Sequence, residues 1–393
     1  MVRRVLFIAV AALAAAQTAP AKTVLYAAVG PELTQYDLNP DTAALTRRAS
    51  VILPANIQEA WPDSTHKYLY VAWSDGGASN ATPTDPAPKG DHHGISAFRI
   101  DRLSGVLFLH GKPAALPSRP IFITTDFDDT HIIAAYNDPS RLTVHQIQPD
   151  GTIGAEVPQL ASLHFGIFGH QVRADPSGKT VILFTRGNGP TDTRPEDPGA
   201  LKIFSYRHGI LGNLLSIAPG EGFGYQVRHL DFHPSGKWVF VTLERQNQIH
   251  VYRRMADGTL SPQPLFVRST LAEPAKAGPA QTAASIHFHP NGKFVYVGNR
   301  AEAAGGENSI AVFSINQETG EPTRIQSVDT RGFQPRTFAL DSTGEFLTAA
   351  NQSPGSLSIF RVGEDGRLEF TKKYDIPTGP RTSLFWIGMV ALP

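Results

Sequence analysis

The stretches His-Pro-Ser-Gly-Lys-Trp-Val-Phe-Val at 233–241 and His-Pro-Asn-Gly-Lys-Phe-Val-Tyr-Val at 289–297 follow one design. In each, a turn built on proline and glycine leads directly into a run of β-branched and aromatic residues, which is the signal for a β-strand. Related turn-and-strand stretches recur at intervals of roughly 50 to 60 residues, a spacing that indicates repeated structural units. They begin at Trp61, Asp126, Asp175 and Asp341.

A second strand follows each turn-and-strand copy. The clearest is Ser-Ile-Ala-Val-Phe-Ser-Ile at 309–315, and a turn at Gly320 then leads to a further short strand. Comparable second strands are 94–100, 142–147, 200–206, 248–253 and 356–362. Four short strands in about 50 residues are typical of a β-propeller blade, and no segment after the N-terminus has sustained helical spacing. The sequence therefore predicts an all-β fold.

The two ends of the chain together supply a seventh blade. Residues 379–386 form a strand-like stretch at the C-terminus, and 23–28 and 34–38 form two at the N-terminus. A blade shared between the termini closes the ring and leaves no open sheet edge. We therefore expect one seven-bladed β-propeller domain over residues 22–393, with the polar stretch 74–93 as a surface insertion.

The first 21 residues have the three parts of a secretory signal peptide. Arginines at positions 3 and 4 precede an apolar run from Val5 to Ala16, and Ala19-Pro20-Ala21 gives a small-residue cleavage site. The apolar run is shorter than the roughly 20 residues of a membrane-spanning helix, which argues against an uncleaved anchor. We predict cleavage after Ala21 and a periplasmic or secreted protein that is free of the membrane; the export route stays open.

Composition excludes several classes of function. The 35 basic and 35 acidic residues cancel, so the chain lacks the positive field of a non-specific nucleic-acid binder. It has no cysteine, which excludes thiolate metal sites, iron–sulfur clusters and cysteine nucleophiles. Nucleophile elbows, phosphate loops and dinucleotide fingerprints are also missing from strand-to-helix contexts. We expect neither a cofactor nor a metal.

Four charged or titratable residues stand near the expected mouth of the central channel. His170 and Arg228 each come shortly before a blade's turn motif, and Glu244 and Arg300 each follow the next strand. Charged groups at such places are costly unless a partner or ligand compensates them. These four residues are therefore the candidate catalytic set.

Three motifs resemble those of the seven-bladed propeller lactonases, which include bacterial 6-phosphogluconolactonases and fungal carboxymuconate lactonizing enzymes. The motifs lie at 228–234, 286–293 and 334–338, and the resemblance spans nearly all of residues 22–393. It implies a hydrolase acting on a small-molecule lactone without a metal. It also places the family's histidine, arginines and glutamate on His170, Arg228, Arg300 and Glu244. Substrate contacts are expected from Arg336, Asn299 and Gln334, and the oligomeric state stays open.

The chemistry of lactone opening suits these residue types. Either Glu244 or His170 could take a proton from the attacking water, and the other would return one to the leaving alkoxide. Arg228 and Arg300 could bind a carboxylate or phosphate and stabilise the oxyanion. Export favours an unphosphorylated sugar lactone over 6-phosphogluconolactone, which is made inside cells.

Other interpretations remain open from sequence. Glu244 and the arginines could form a salt-bridge network between blades, in which case the propeller would be a binding module without turnover. A cycloisomerase of the muconate-lactonizing kind would use the same residues. His233 and His289 are expected to bond backbone groups within their turns. His92 and His93 are a weak metal candidate because two adjacent histidines in a polar loop lack a defined ligand spacing.

Overall fold

The computed structural model describes residues 22–77, 89–278, 280–301, 305–352, 354–379 and 382–392. It contains seven antiparallel sheets, which we number as blades 1 to 7. The first strand of each sheet below is the innermost, and neighbouring innermost strands pack against one another around a central channel. The predicted all-β, seven-bladed propeller is confirmed.

Blades 1 to 3 use the first half of the chain. Blade 1 consists of β4 (Asn56–Pro62), β5 (Tyr68–Ser74), β6 (His93–Ile100) and β7 (Leu107–Leu109), with β8 (Ala114–Ala115) also paired to β6. Blade 2 consists of β9 (Pro120–Thr125), β10 (His131–Asn137), β11 (Ser140–Ile147) and β12 (Ile153–Glu156). Blade 3 consists of β13 (Gly169–Ala174), β14 (Thr180–Thr185), β15 (Ala200–Arg207) and β16 (Ile210–Ile217).

Blades 4 to 6 follow. Blade 4 consists of β17 (Val227–Phe232), β18 (Trp238–Leu243), β19 (Gln248–Arg253) and β20 (Phe266–Ser269). Blade 5 consists of β21 (Gln281–Phe288), β22 (Phe294–Ala301), β23 (Ser309–Ile315) and β24 (Pro322–Asp329). Blade 6 consists of β25 (Pro335–Leu340), β26 (Phe346–Asn351), β27 (Ser356–Val362) and β28 (Leu368–Asp375). Two short 3-10 helices, Pro219–Gly222 and Pro274–Lys276, lie in connections.

Blade 7 joins the two ends of the chain, as the sequence predicts. Its innermost strand is the C-terminal β29 (Leu384–Ala391), and its outer strands are β1 (Thr23–Val29), β2 (Glu32–Leu38) and β3 (Leu45–Ile52). β29 pairs antiparallel with β1 from Thr23 opposite Ala391 to Val29 opposite Leu384. This pairing closes the ring through backbone hydrogen bonds, so neither terminal strand leaves an open edge.

The hydrophobic core lies between blades. Trp238 and Phe240 of blade 4, for example, share one buried cluster with Val295 and Phe313 of blade 5. The turn histidine also links the two blades by a hydrogen bond, because His233 Nε2 lies 2.9 Å from the carbonyl oxygen of Gly292 in the next blade. His289 makes the same kind of contact with the carbonyl of Gly344, at 3.1 Å. Both histidines therefore bond backbone groups, as expected.

A β-bulge interrupts the innermost strand of every blade. Each of these strands shows a register shift against its second strand, near the end remote from the turn motif. A bulge leaves at least one residue out of the ladder and re-aims its side chain. The residues left unpaired are Gln58, Ile121, His170, Gln171, Arg228, Ala284, Ser285, Arg336 and Phe385.

Two predicted segments fall wholly or partly outside the described residues. The signal peptide at 1–21 does, and so do residues 78–88 of the predicted insertion at 74–93. The ends of that insertion are a correction to the sequence interpretation, because Ser74 and His93 are paired strand residues rather than loop residues. His93 is buried with Nδ1 at 2.8 Å from Ser74 Oγ, which is a structural role. Within the described ranges, no helix is long and apolar enough to cross a membrane.

Candidate active site

Three of the predicted residues occupy one structural position in different blades. His170, Arg228 and Arg336 each lie five residues before the residue that opens the turn motif, in blades 3, 4 and 6. All three are left unpaired by the bulge of their innermost strand. The bulge allows the unpaired residue and the residue after it to face the channel on the same side. Arg228 and His229 show this arrangement, because Arg228 Nη1 lies 3.3 Å from His229 Nε2.

A second ring of polar residues comes from the far ends of the second strands. Glu244 and Arg300 lie seven residues after the turn lysines of blades 4 and 5, and Arg186 has the same place in blade 3. Glu244 Oε2 accepts a hydrogen bond from Arg186 Nη1 at 2.7 Å, and Glu244 Oε1 accepts one from Arg300 Nη2, also at 2.7 Å. Arg228 Nε is 3.8 Å from the same Oε1. The two rings therefore meet at Glu244.

The carboxylate of Glu244 is buried and ion-paired with these arginines. Its side chain is only 5% exposed. Burial alone would raise the pKa of Glu244, but Arg186, Arg300 and Arg228 outweigh it and hold that pKa well below its usual range. A carboxylate this firmly ionised and hydrogen-bonded is a weak proton acceptor near neutral pH. It is well suited to fixing the three guanidinium groups in place.

His170 has the opposite electrostatic character. Burial, and then the positive charges of Arg228 and Arg186, keep the pKa of His170 well below its usual value, so the imidazole is neutral at pH 7. Its Nδ1 is buried and has no hydrogen-bond partner among the described residues. The ring lies 5.2 Å from that of His229, which is also kept neutral by burial and Arg228. A neutral imidazole with an unpaired nitrogen can accept a proton.

Positive charge exceeds negative charge in this part of the channel. Burial, opposed only in part by Glu244, lowers the pKa of Arg336 to about 9, and burial lowers that of Arg119 to about 10. Burial also raises the pKa of Glu59 to about 8, so that this carboxyl is uncharged at neutral pH. In the described part of the channel, this cluster thus contains one ionised carboxylate, that of Glu244, and five guanidinium groups. They belong to Arg119, Arg186, Arg228, Arg300 and Arg336.

Such an imbalance is expensive unless an anion compensates it. Arg228 is 1% exposed, and its buried Nε has no hydrogen-bond partner within the described part of the chain. A salt-bridge network that served only the fold would balance its charges, since unpaired buried cations destabilise it. The cluster is therefore built to receive negative charge from a ligand or a transition state.

The other two predicted substrate contacts, Asn299 and Gln334, adjoin the cluster residues Arg300 and Arg336 in sequence. Asn299 is fully buried, and its amide donates to the carbonyl of Thr270 at 3.0 Å and to Ser309 Oγ at 3.1 Å. These bonds support the fold around the end of β22. Gln334 has a left-handed backbone with φ of 55° and donates its backbone N–H to Asn308 Oδ1 at 2.9 Å. It shapes the entry to β25, immediately before Arg336.

Sequence reasoning missed three members of the cluster, Arg186, Arg119 and Glu59. A signal for Arg186 was present, because its distance from Lys179 equals that of Glu244 from Lys237 and of Arg300 from Lys293. Arg119 and Glu59 carry no comparable signal, since their roles depend on how blades 1 and 2 fold against the others. No group of three or more histidine, aspartate or glutamate residues that could hold a metal ion occurs in the described portion.

Comparisons with known proteins agree with this architecture. The model of a family described as "Lactonase, 7-bladed beta-propeller" matches residues 23–385. A 6-phosphogluconolactonase of Bacillus subtilis is 31% identical over 281 residues, which cover 70% of this chain and 75% of the relative. A 6-phosphogluconolactonase of Pectobacterium carotovorum is 27% identical over 307 residues, covering 76% of this chain and 82% of the relative.

The fold is also found among solved structures. The periplasmic gluconolactonase of Pseudomonas aeruginosa superposes with a TM-score of 0.74 at 19% sequence identity. The match covers 95% of this chain and 100% of that one. At this level of identity the likeness shows a shared fold.

Proposed function

The chain belongs to the lactonase family of seven-bladed β-propellers, and on this premise we propose that it hydrolyses a sugar lactone or a related lactone at the arginine cluster around Glu244. The observation that carries the proposal is the surplus of buried guanidinium charge beside a neutral, unpaired histidine. Lactone hydrolysis develops negative charge on the carbonyl oxygen and needs a proton acceptor for water. The cluster supplies both functions.

His170 is the general base in this proposal. Its neutral imidazole takes a proton from the water that attacks the lactone carbonyl, and the resulting imidazolium returns the proton to the leaving alkoxide. The neighbouring arginines make the imidazolium costly, which favours that return. The sequence leaves the choice between His170 and Glu244 open, and the two 2.7 Å arginine bonds to Glu244 favour His170.

The arginines stabilise the oxyanion. Arg228 has an unpaired Nε, and Arg336 is stacked at 4.1 Å on the ring of Phe385, so both guanidinium groups are held in place before substrate arrives. Fixed donors of this kind cost little reorganisation during reaction. Glu244 acts through Arg186 and Arg300 and is a positioning residue.

We further propose that the protein acts outside the cytoplasm, because the first 21 residues have the pattern of a signal peptide. Export favours an unphosphorylated lactone as substrate. The arginine surplus, in contrast, would also accommodate a carboxylate or phosphate on the substrate. A comparison of neutral and phosphorylated lactones therefore decides the substrate class.

The test is acid release measured in a pH-stat with the purified protein that begins at Lys22. Glucono-1,5-lactone and its 6-phosphate are the paired substrates, and Arg300→Ala is the variant. We expect hydrolysis above the spontaneous rate that falls in the variant, with the better substrate identifying the class. Hydrolysis only at the spontaneous rate for every lactone would contradict the proposal and direct the search to cyclisation of a dicarboxylate.

A further inference from the structure

The channel contains a second candidate site, a cavity on the turn side of the arginine cluster, with Glu59 and His229 at the junction of the two. It has a volume of about 370 Å³, within the range of small-molecule sites. Its walls come from the turn-side halves of the innermost strands and from the turn residues Pro290, Asp341 and Ser342. Glu244 and Arg300 instead lie at or near the ends of their strands that are remote from these turns. The cavity therefore extends from the arginine cluster toward the turn-side face of the propeller.

The polar groups of the second cavity come from neighbouring blades. Arg173, Asp231 and His287 occupy the same position on β13, β17 and β21, each two residues before the residue that opens the turn motif. Asp231 is held in place because its carboxylate accepts backbone N–H groups from Phe232 at 3.0 Å and from Phe288 at 2.9 Å. The three side chains are 17%, 19% and 42% exposed in that order, so solvent reaches them.

These groups are near one another without satisfying one another. Arg173 Nη1 lies 3.6 Å from Asp231 Oδ1, and His287 Nδ1 lies 4.0 Å from Asp231 Oδ2. Both separations exceed an ordinary hydrogen bond, which spans about 2.7–3.2 Å. A ligand hydroxyl group placed between them can donate to the carboxylate and accept from arginine or histidine. Hydroxyl groups suit this role because each is both donor and acceptor.

Aromatic rings form the rest of the wall. Trp61 and Phe122 lie with ring centroids 5.9 Å apart, and the guanidinium of Arg173 packs over Trp61 at 4.9 Å. Trp386 and Phe288 complete the aromatic lining. Flat apolar surfaces beside clustered hydrogen-bonding groups match a ligand that has a carbon–hydrogen face and a rim of hydroxyl groups.

The charge of this cavity differs from that of the arginine cluster. Among the described residues that line it, Arg173 is the only lysine or arginine, and it is balanced by Asp231, with Asp341 adding a further carboxylate in the turn. Desolvation lowers the pKa of His287, although Asp231 opposes it, and burial raises that of Glu59 to about 8. Both groups are therefore uncharged at neutral pH, and the cavity has no positive surplus to attract an anion.

We propose that this cavity is a second ligand site, which binds an uncharged monosaccharide-like polyol between Trp61 and the Arg173–Asp231–His287 group. Its occupation needs no lactone and no turnover, so the proposal stands independently of the function proposed for the arginine cluster. The cavity and the arginine cluster then select ligands of different charge.

The test is a titration with D-glucose, a pyranose without a lactone bond, followed by isothermal calorimetry and tryptophan fluorescence. We expect saturable binding in the millimolar range or tighter, and binding at least tenfold weaker for D-glucose 6-phosphate. Asp231→Asn should weaken D-glucose binding at least tenfold while its lactonase activity is retained. Arg300→Ala should bind D-glucose like the wild type, and it is the matched control.

Two further variants guard against misfolding of Asp231→Asn. Trp61→Phe should keep the aromatic wall and lose most of the fluorescence change, and His287→Ala, which removes an exposed side chain, should weaken binding. The proposal is overturned if D-glucose does not saturate the wild type. It is equally overturned if Arg300→Ala abolishes binding while the Asp231 and His287 variants retain it, because the sugar would then occupy the arginine cluster.

Discussion

Arg228 and Arg336 occupy the same position in blades 4 and 6, where each is the residue left unpaired by the bulge of an innermost strand. Arg228 lies between the pairs Val227–Leu243 and His229–Thr242, and Arg336 lies between Pro335–Asn351 and Thr337–Ala350. A regular strand would point these two arginines and their following residues to opposite faces. The bulge is therefore what concentrates polar side chains at this end of the channel.

The geometry of Arg336 predicts that charge alone does not replace it. Arg336→Lys keeps the positive charge but loses the planar fork and the stacking on Phe385. We expect kcat/KM to fall about tenfold, and Arg336→Met to cause a larger fall. Steady-state kinetics on the best lactone measure both effects. A kcat/KM in Arg336→Lys equal to that of the wild type would show that the guanidinium group of Arg336 does not contact the transition state.

The pairing of Glu244 with arginines predicts that Glu244→Gln loses stability but keeps the acid limb of the pH–rate profile. Glu244→Gln removes the ionised partner of Arg186, Arg228 and Arg300, and removing one member of a buried ion pair costs about 3–5 kcal/mol. Urea unfolding measures this loss. Because Glu244 positions arginines rather than accepting the proton, kcat should fall while the acid limb persists. Its midpoint should lie at or below the wild-type value, since less negative charge then opposes the arginines beside His170. Disappearance of that limb would identify Glu244 as the base.

The pKa of His170 predicts the pH dependence of the wild type. A base works in its deprotonated form, and the pKa of His170 lies well below the ordinary value of 6.5. Activity should therefore rise with pH through a midpoint below 6.5 and already be at its plateau at pH 7. The profile of kcat/KM, corrected for spontaneous hydrolysis, gives that midpoint. A midpoint at or above 6.5 would exclude a buried His170 as the base.

The lowered pKa of His170 also affects the stability of the folded protein. A histidine whose pKa is lowered by folding binds protons more readily in the unfolded chain, so the folded state loses stability as pH falls below 6.5. His229, whose pKa is lowered for the same reasons, acts in the same direction. The free energy of unfolding should therefore decrease between pH 6.5 and 5, and His170→Gln should make this decrease smaller.

An ion pair remote from the channel provides a structural control. Arg254 donates to Asp175 through Nε at 2.6 Å and Nη2 at 2.5 Å, and it joins blade 4 to the turn of blade 3. The Asp175 side chain is fully buried. Asp175→Asn should cost about 3–5 kcal/mol of stability and leave kcat unchanged. A fall in kcat without a change in unfolding free energy would contradict this separation of roles.

Local sequence patterns were sufficient for the fold. The turns at 233–237 and 289–293 and the strands after them lie where the sequence predicts, and the seventh blade forms from both termini because β29 pairs with β1. The family resemblance is likewise confirmed. These turns, strands and motifs are encoded in short stretches of adjacent residues, so they can be predicted without knowing how the blades pack together.

The candidate site could be predicted only in part. The number of residues from the turn motif locates His170, Arg228 and Glu244, because residues at the same distance from the turn take corresponding positions in different blades. The bulges, the neutral state of Glu59 and the second cavity depend on strand register and on contacts between blades distant in sequence. Such contacts have no local signature, which is why the sequence predicts a loop at His93 where the structure has a paired strand residue.

The most direct test is kcat of His170→Gln on the lactone that the wild type hydrolyses fastest, with Asp175→Asn as the control for a loss of stability that leaves kcat unchanged. Loss of the base should lower kcat by about 10²–10⁴-fold while the circular dichroism spectrum stays native. Hydrolysis by His170→Gln at the wild-type rate would contradict the assignment of His170 as the general base of lactone opening.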